Sequence, residues 1–265
     1  MKVHHLNCAT LRPHGGMGGR MAPAEMVCHV LLVERADGLA LVDTGFGTAD
    51  IARPARLGRP FVAAMRPRLE LAEAAVTQVT ERGFDPRDVR DIVLTHLDLD
   101  HAGGIGDFPK ARVHVDAAEL EAALNPRFSE RARYVSEQWA HGPDFVAHEP
   151  AGEDWYGFAG VQALGDDVLL VPLRGHSRGH CGVAVRREDG GWLLHAGDAY
   201  FWHGEVNTPP TRKPGLTMFQ KMMSVEEELR TSNQQRLREL RVHHPDVTVF
   251  CAHDALDLQR FADSP

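Results

Sequence analysis

Cysteine is scarce and scattered. Cys8, Cys28, Cys181 and Cys251 are the four in the chain, and no two stand in a CxxC spacing, so neither a disulfide framework nor a cysteine zinc site is expected. Four reduced, buried thiols fit a reducing compartment. Positive charge is also short: Lys and Arg number 29 against 37 Asp and Glu, a formal net charge of −8. No basic run stands out, which argues against a nucleic-acid partner, because phosphate binding needs clustered Lys and Arg. No apolar run approaches the ~18 residues a membrane span requires. The opening stretch from Met1 to Cys8 has no apolar signal-peptide core. A cytoplasmic protein that acts on a small molecule, away from membranes, is the expectation. There is no GxGxxG after a strand and no Walker lysine, so a nucleotide-binding fold is not indicated. Without a repeat, a low-complexity tract or a linker-like stretch, residues 1–265 read as a single domain.

What is present is ordinary globular material. Hydrophobic residues make up 43% and charged residues 25% of 265, enough for a sizeable core. Val27 to Val33 and Leu39 to Val42 are apolar runs separated by Ala36-Asp37-Gly38, a hairpin signal. Residues 46–70 are rich in Gly, Pro and Arg and predict a surface excursion near the mouth of a site. Leu71 to Glu81 has helical spacing, with Gly83 as its stop. Val89 to Leu94 reads as a buried strand running into His96, and Ala111 to Val115 as another. Asp116 caps a helix that continues through Leu124 and is ended by Pro126. Residues 127–160 mix aromatic and charged residues and resemble a lid or inserted helical segment more than core. Val168 to Leu173, Val183 to Val185 and Trp192 to His195 read as strands. Ser224 to Val242 is the longest helix, carrying Val225, Leu229, Leu237 and Leu240. Val247 to Cys251 is a last strand before a short tail helix. Strands first, then helices with strands, predict a mixed α/β sandwich.

The sixteen histidines matter by position rather than number; His4-His5 and His243-His244 read as surface. The strongest signal is Thr95-His96-Leu97-Asp98-Leu99-Asp100-His101-Ala102-Gly103-Gly104, directly after an apolar strand. In an extended segment alternate side chains share a face, so His96, Asp98 and Asp100 converge, with His101 at the following turn. Imidazole and carboxylate together suit zinc, iron or manganese. A lone His or Asp at a turn is commonplace; an alternating cluster at a strand's end is not. Three further pieces stand at predicted strand ends: Gly175-His176-Ser177-Arg178-Gly179-His180, Gly197-Asp198, and His253-Asp254.

In this order the pieces resemble the metallo-β-lactamase superfamily, and within it the lactonases and related esterases such as the N-acyl homoserine lactonases. That family has His-x-His-x-Asp-His, then Gly-His, then Gly-Asp, then a final His, preceded by an early Val-Asp-Thr-Gly, here Val42-Asp43-Thr44-Gly45. The resemblance spans about residues 27 to 254. It implies a four-layer αββα sandwich with pocket insertions at 46–70 and 127–160, and two divalent metal ions, zinc foremost. His96, Asp98 and His176 would hold the first ion and Asp100, His101 and His253 the second, with Asp198 bridging. Asp43 would orient a ligand histidine from behind. His180 is expected to support or pack, and His195 to point away. Asp254 could cap the tail helix.

One position departs from the pattern: Asp98 stands where the family has histidine. The extra carboxylate cancels one more unit of metal charge, which predicts a weaker Lewis acid and poorer tolerance of anionic substrates. Its harder oxygen moves the preference toward manganese or iron. The implied reaction is hydrolysis of a lactone or other carboxylic ester by a hydroxide bridging the two ions. Asp100 is the candidate for passing a proton to the leaving alkoxide. Tyr200 is the candidate oxyanion donor, although the lactonase tyrosine falls one position later, where this chain has Phe201. Phe61, Met65, Tyr134, Trp139, Phe145, Trp155 and Tyr156 are candidates for a pocket lining or for core beneath the loops. Phe219, Met222 and Met223 are candidates for another wall or a homodimer contact. The rival functions are thioester hydrolysis of the glyoxalase II kind, phosphoester hydrolysis, a mononuclear iron sulfur-dioxygenase and a non-catalytic metal-binding sensor. The reduced site charge and the lack of basic clamps count against the phosphoester, and the nearly full ligand set against the sensor.

Overall fold

A computed structural model describes residues 1–149 and 154–262. Two sheets organise it. The first has six strands in chain order: β1 (Lys2–Leu11), β2 (Met26–Arg35), β3 (Gly38–Val42), β4 (Val89–Val93), β5 (Arg112–Asp116) and β6 (Asp144–His148). β1, β2 and β3 pair antiparallel, and β3 to β6 run parallel. A two-strand ribbon, β7 (Asp154–Trp155) and β8 (Phe158–Ala159), follows. The second sheet has the order β13-β12-β11-β10-β9, built from β9 (Val161–Gln162), β10 (Val168–Pro172), β11 (Cys181–Arg186), β12 (Trp192–His195) and β13 (Val247–Phe250).

The apolar runs explain the stacking. In β2 every residue from Met26 to Val33 is buried, as expected for a strand covered on both faces. Leu31, Val33, Ala40, Val42 and Val93 of the first sheet meet Leu170, Val183, Val185, Leu193 and Phe250 of the second. The first sheet's outer face carries Leu32, Leu41 and Ile92 and packs under α3 (Ala75–Glu81) and α4 (Ala117–Leu124). The second sheet's outer face meets Leu237 and Leu240 of α6 (Glu227–His243). Helix, sheet, sheet and helix therefore stack as the predicted four layers.

Local differences from the sequence reading have identifiable causes. β1 was not anticipated; it is an edge strand with an irregular register between Asn7 and Thr10, which blurs its alternation. The excursion at 46–70 folds into α1 (Thr48–Ala52) and α2 (Arg59–Met65). The helix expected from Leu71 breaks at Ala74, whose ψ of 135° is extended, and Leu71 is exposed. The segment 127–160 divides: its first part is loop with short helical turns, while β6 adds a sixth strand to the sheet. The part at 150–153 lies outside the described residues. The long helix expected over Ser224 to Val242 begins only at Glu227, as α6, since Ser224 and Glu226 are extended, and a separate helix not anticipated, α5 (Pro214–Met223), precedes it. The tail helix, α7 (Ala255–Ala262), begins after Asp254, whose carboxylate accepts from Leu256 N at 2.9 Å. No helix among the described residues is long and apolar enough to cross a membrane.

Candidate metal centre

Five strands deliver the candidate residues to one edge of the sandwich. Asp43 follows β3, and His96 to His101 follow β4. His176 follows β10, Asp198 follows β12, and His253 follows β13. All five strands end at that edge, because β3 and β4 are parallel, as are β12 and β13, and β10 runs in their direction across β11. The convergence that the sequence suggested within one decapeptide is thus completed by both sheets.

His96, His101 and His253 are fixed from behind, leaving Nε2 to face the cluster; His176 also turns Nε2 toward it, but its Nδ1 has no hydrogen-bond partner among the described residues. His101 Nδ1 donates to Asp43 Oδ2 at 2.8 Å, and His253 Nδ1 to the Val27 carbonyl at 2.8 Å. Thr95 Oγ1 lies 3.0 Å from His96 Nδ1 and donates to Asp43 Oδ2. Asp43 also accepts from Thr95 N; this buried residue holds φ +59°, a strained geometry that Asp tolerates better than most. Asp198 sits at the centre. Its Oδ2 is 3.7 Å from His96 Nε2 and 3.4 Å from His176 Nε2, while Oδ1 is 3.3 Å from His101 Nε2 and 3.1 Å from His253 Nε2. His96, His176 and Asp198 form one group able to hold an ion, and His101, Asp198 and His253 a second. Asp100 extends the second, 3.8 Å from His253. His180 supports from behind, its Nε2 accepting from Asp198 N at 2.8 Å. His195 points into the sandwich and donates to the His29 carbonyl.

Asp98 is at the first group but shares itself. Its Oδ2 lies 3.0 Å from His176 Nε2 and 3.5 Å from His96 Nε2, and its Oδ1 accepts from Arg133 at 3.1 Å. Burial pushes the Asp98 carboxyl up, but Arg133 and the neighbouring imidazoles together hold it well below the usual carboxylate range. Burial likewise opposes the charge of Asp198, and His253, His101 and His176 overcome it. His101 is raised well above its ordinary value: burial works against it, but Asp198, Asp43 and Asp100 prevail. His176 is lowered to about 4 by burial and then by Arg133.

Tyr200 departs from expectation. It is fully buried against the α6 side of the second sheet with Leu237, Leu240 and Cys251, away from the cavity. Its hydroxyl has no hydrogen-bond partner among the described residues. Phe201 takes the place facing the cluster, its ring 4.8 Å from that of His253.

The cluster opens into a cavity of about 470 Å³ with apolar walls that include Leu11, Met26, Phe61, Met65, Phe219 and Met223. Phe61, Met65, Phe219, Met222 and Met223 line it as anticipated; Tyr134 and Trp139 are core of the first sheet, and Phe145 packs against them. Trp155 and Tyr156 belong to the far side of the second sheet.

Three contributors escaped the sequence reading. Arg133 came from an aperiodic segment with no motif. Glu119 was hidden in α4; it is fully buried and accepts from Leu97 N, Gly179 N, Ser177 Oγ and the Tyr134 hydroxyl. A Cβ on Gly179 would lie 2.1 Å from Glu119 N, so glycine is required there. Cys28 shows in the sequence only as a buried thiol, yet its Sγ is 3.9 Å from Asp100 Oδ2 and stands with Asp100 and His253 as a third candidate group. Burial and then Asp100 push that thiol up, keeping it neutral.

The donor set fits metal ions. His96 Nε2, His101 Nε2 and Asp198 Oδ1 are buried without a hydrogen-bond partner among the described residues, a costly arrangement unless a cation sits between them. Buried carboxylates at Asp98, Asp100 and Asp198 supply the matching negative charge.

The metallo-beta-lactamase superfamily profile matches residues 24–253. A protein of Mycobacterium tuberculosis described as a probable metallo-hydrolase is 46% identical over 99% of this chain and 83% of its own. An N-acyl homoserine lactonase of Agrobacterium fabrum is 31% identical over 75% of this chain and 71% of its own. The structure of an N-acyl homoserine lactone hydrolase, with the product N-hexanoyl-L-homoserine at its catalytic metal center, superposes with a TM-score of 0.75 at 23% identity, covering 98% of this chain and 95% of that one. The chain therefore belongs to the metallo-beta-lactamase superfamily, as a metal-dependent hydrolase.

Proposed function

We propose that the chain hydrolyses a lactone or related carboxylic ester bearing an apolar acyl chain. The observation that carries this reading is the opening of the ligand cluster onto a deep apolar cavity. Asp98, Asp100, His176, Asp198 and His253 lie at its polar end, with the methionine and phenylalanine walls beyond. The chemistry suits a substrate with a polar acyl head and a hydrocarbon tail, since burying each CH₂ is worth about 0.8 kcal/mol. Lactonase relatives of both kinds support the assignment.

His96, Asp98 and His176 would hold one ion, Asp100, His101 and His253 the other, and Asp198 both; zinc suits the imidazole-rich set. Bound there, divalent ions supply Lewis acidity and bring the pKa of water toward neutrality. The protein supplies orientation. Asp43 and the Val27 carbonyl hold His101 and His253 with Nε2 forward. Phe201 and the cavity walls exclude bulk water from the reacting ester. Asp100 is the most exposed of the cluster's three carboxylates, its side chain 12% exposed, and can carry a proton to the leaving alkoxide. Four buried free thiols support a cytoplasmic setting.

The test pairs elemental analysis of the purified protein and an Asp198→Ala variant with a panel of lactones, esters and thioesters of increasing acyl length. Two metal equivalents, reduced in the variant, with kcat/KM on lactones rising with chain length, are expected. One iron equivalent, or cleavage of thioesters alone, would overturn the assignment.

A further inference from the structure

Arg133 brings a buried positive charge into contact with the cluster from a segment outside every motif. Its side chain is 5% exposed and that of Asp98 9%, so the pair is nearly dry. Two anchors fix the guanidinium. One N–H group donates to Asp98 Oδ1 and another to the Met223 carbonyl at the end of α5, where a helix favours a cation. The next residue, Tyr134, donates to Glu119, which itself holds the loops of His96 and His176. Asp98 is left with its other oxygen, Oδ2, pointing at His176 and His96.

We propose that Arg133 and Asp98 act as one unit: a charge-neutral oxygen donor for the first ion, in which Arg133 is the positioning residue. Arg133 uses one carboxylate oxygen so that only Oδ2 faces the ion, and it offsets the negative charge that Asp98 adds. The centre is thus one unit more positive than its three carboxylates alone would make it. The weaker Lewis acidity and poorer tolerance of anionic substrates expected from Asp98 by itself do not follow. A buried pair of this kind is costly to break from either side, because the survivor keeps an uncompensated charge. A neutral imidazole, by contrast, needs no such partner.

This inference rests on the metal-centre reading above, and a double-mutant cycle separates the two. Wild type, Arg133→Met, Asp98→His and the double variant are loaded with zinc, and the zinc affinity of each is read by chelator competition. The thermal midpoints of the metal-free proteins are recorded alongside. Arg133→Met should weaken retention of one zinc equivalent by about tenfold or more and spare the other. Asp98→His alone should lower the metal-free midpoint by stranding Arg133. The double variant should recover both, within about threefold of wild-type affinity, giving strong non-additivity. If Arg133→Met fails to fold, Arg133→Lys and Arg133→Gln replace it, with the lysine variant retaining both equivalents and the glutamine variant not. Additive losses, or wild-type zinc affinity without a charge at 133, would overturn the inference. Failure of Asp198→Ala to lose metal would instead overturn the centre itself.

Discussion

Asp43 illustrates how much one side chain can organise. It anchors Thr95 through main chain and hydroxyl and fixes the His101 ring. Asp43→Ala should lower metal affinity by about 10–100-fold, read by chelator titration, with His101 free to rotate; unchanged affinity would show that the ring is held by packing alone. Tyr200→Phe should leave kcat/KM within about twofold, since the hydroxyl is remote from the cavity. The same change removes a buried hydroxyl without a partner and should leave the thermal midpoint unchanged or raised; a large loss of turnover would put the hydroxyl back in the mechanism. The ligands were legible because strand alternation and strand ends are local signals. Arg133 was not, because its role comes from a contact with a residue thirty-five positions earlier and nothing near it in sequence marks that contact. Tyr200 was misplaced for a related reason: a shift of one position at a strand's end turns a side chain from the cavity to the outer layer.

At the scale of elements, α4 ties the two ligand loops together. Glu119 receives hydrogen bonds from the loop after β4 and the loop after β10, as well as from Tyr134. Glu119→Ala strands several buried donors at once, and a destabilisation of about 3–5 kcal/mol is expected, measured by chemical denaturation. Metal retention should fall with it, because the His96 and His176 loops lose their common tether; a stable variant with full metal content would refute the tether. The inner strands were readable from their unbroken apolar runs, bounded by turn residues. β1 and β6 were not, because edge strands are only partly buried and lack such runs: β6 has no fully buried residue. The long helix and its buried Leu237 and Leu240 are legible in the sequence, but the polar half of its buried face is not. α6 buries Arg230, Asn233 and Gln234 beside Leu237 and Leu240, while Leu229 stays at its exposed margin. Arg230 bonds Gln220 and Glu227, and Gln220 bonds Glu205, a polar network that hydrophobic periodicity cannot detect.

For the molecule as a whole, the buried acids give stability a readable pH dependence. Asp257 in α7 is raised to about 6, by burial first and then by Asp254. Its folded form therefore holds a proton more tightly than the unfolded chain, whose value is the ordinary 3.8. This stabilisation is full below the unfolded value and is lost as pH rises through the folded one. Asp257→Asn should raise stability at pH 7 by on the order of 1–3 kcal/mol and change little at pH 3 to 4; equal effects at both pH values would refute the assignment.

Methionine supplies much of the cavity wall, with Met26, Met65, Met222 and Met223 all on it. Thioethers are supple enough to accept hydrocarbon tails of different length and branching. They are also the part of the site that peroxide attacks, each sulfoxide putting a polar group where the tail should lie. If the chain acts on acyl esters as proposed, mild oxidation should therefore narrow the range of acyl chains, penalising long ones first, while the ion-binding end of the cavity stays intact. On that proposed reading a sulfoxide reductase would restore the range, making the breadth of substrates accepted a record of exposure to oxidants.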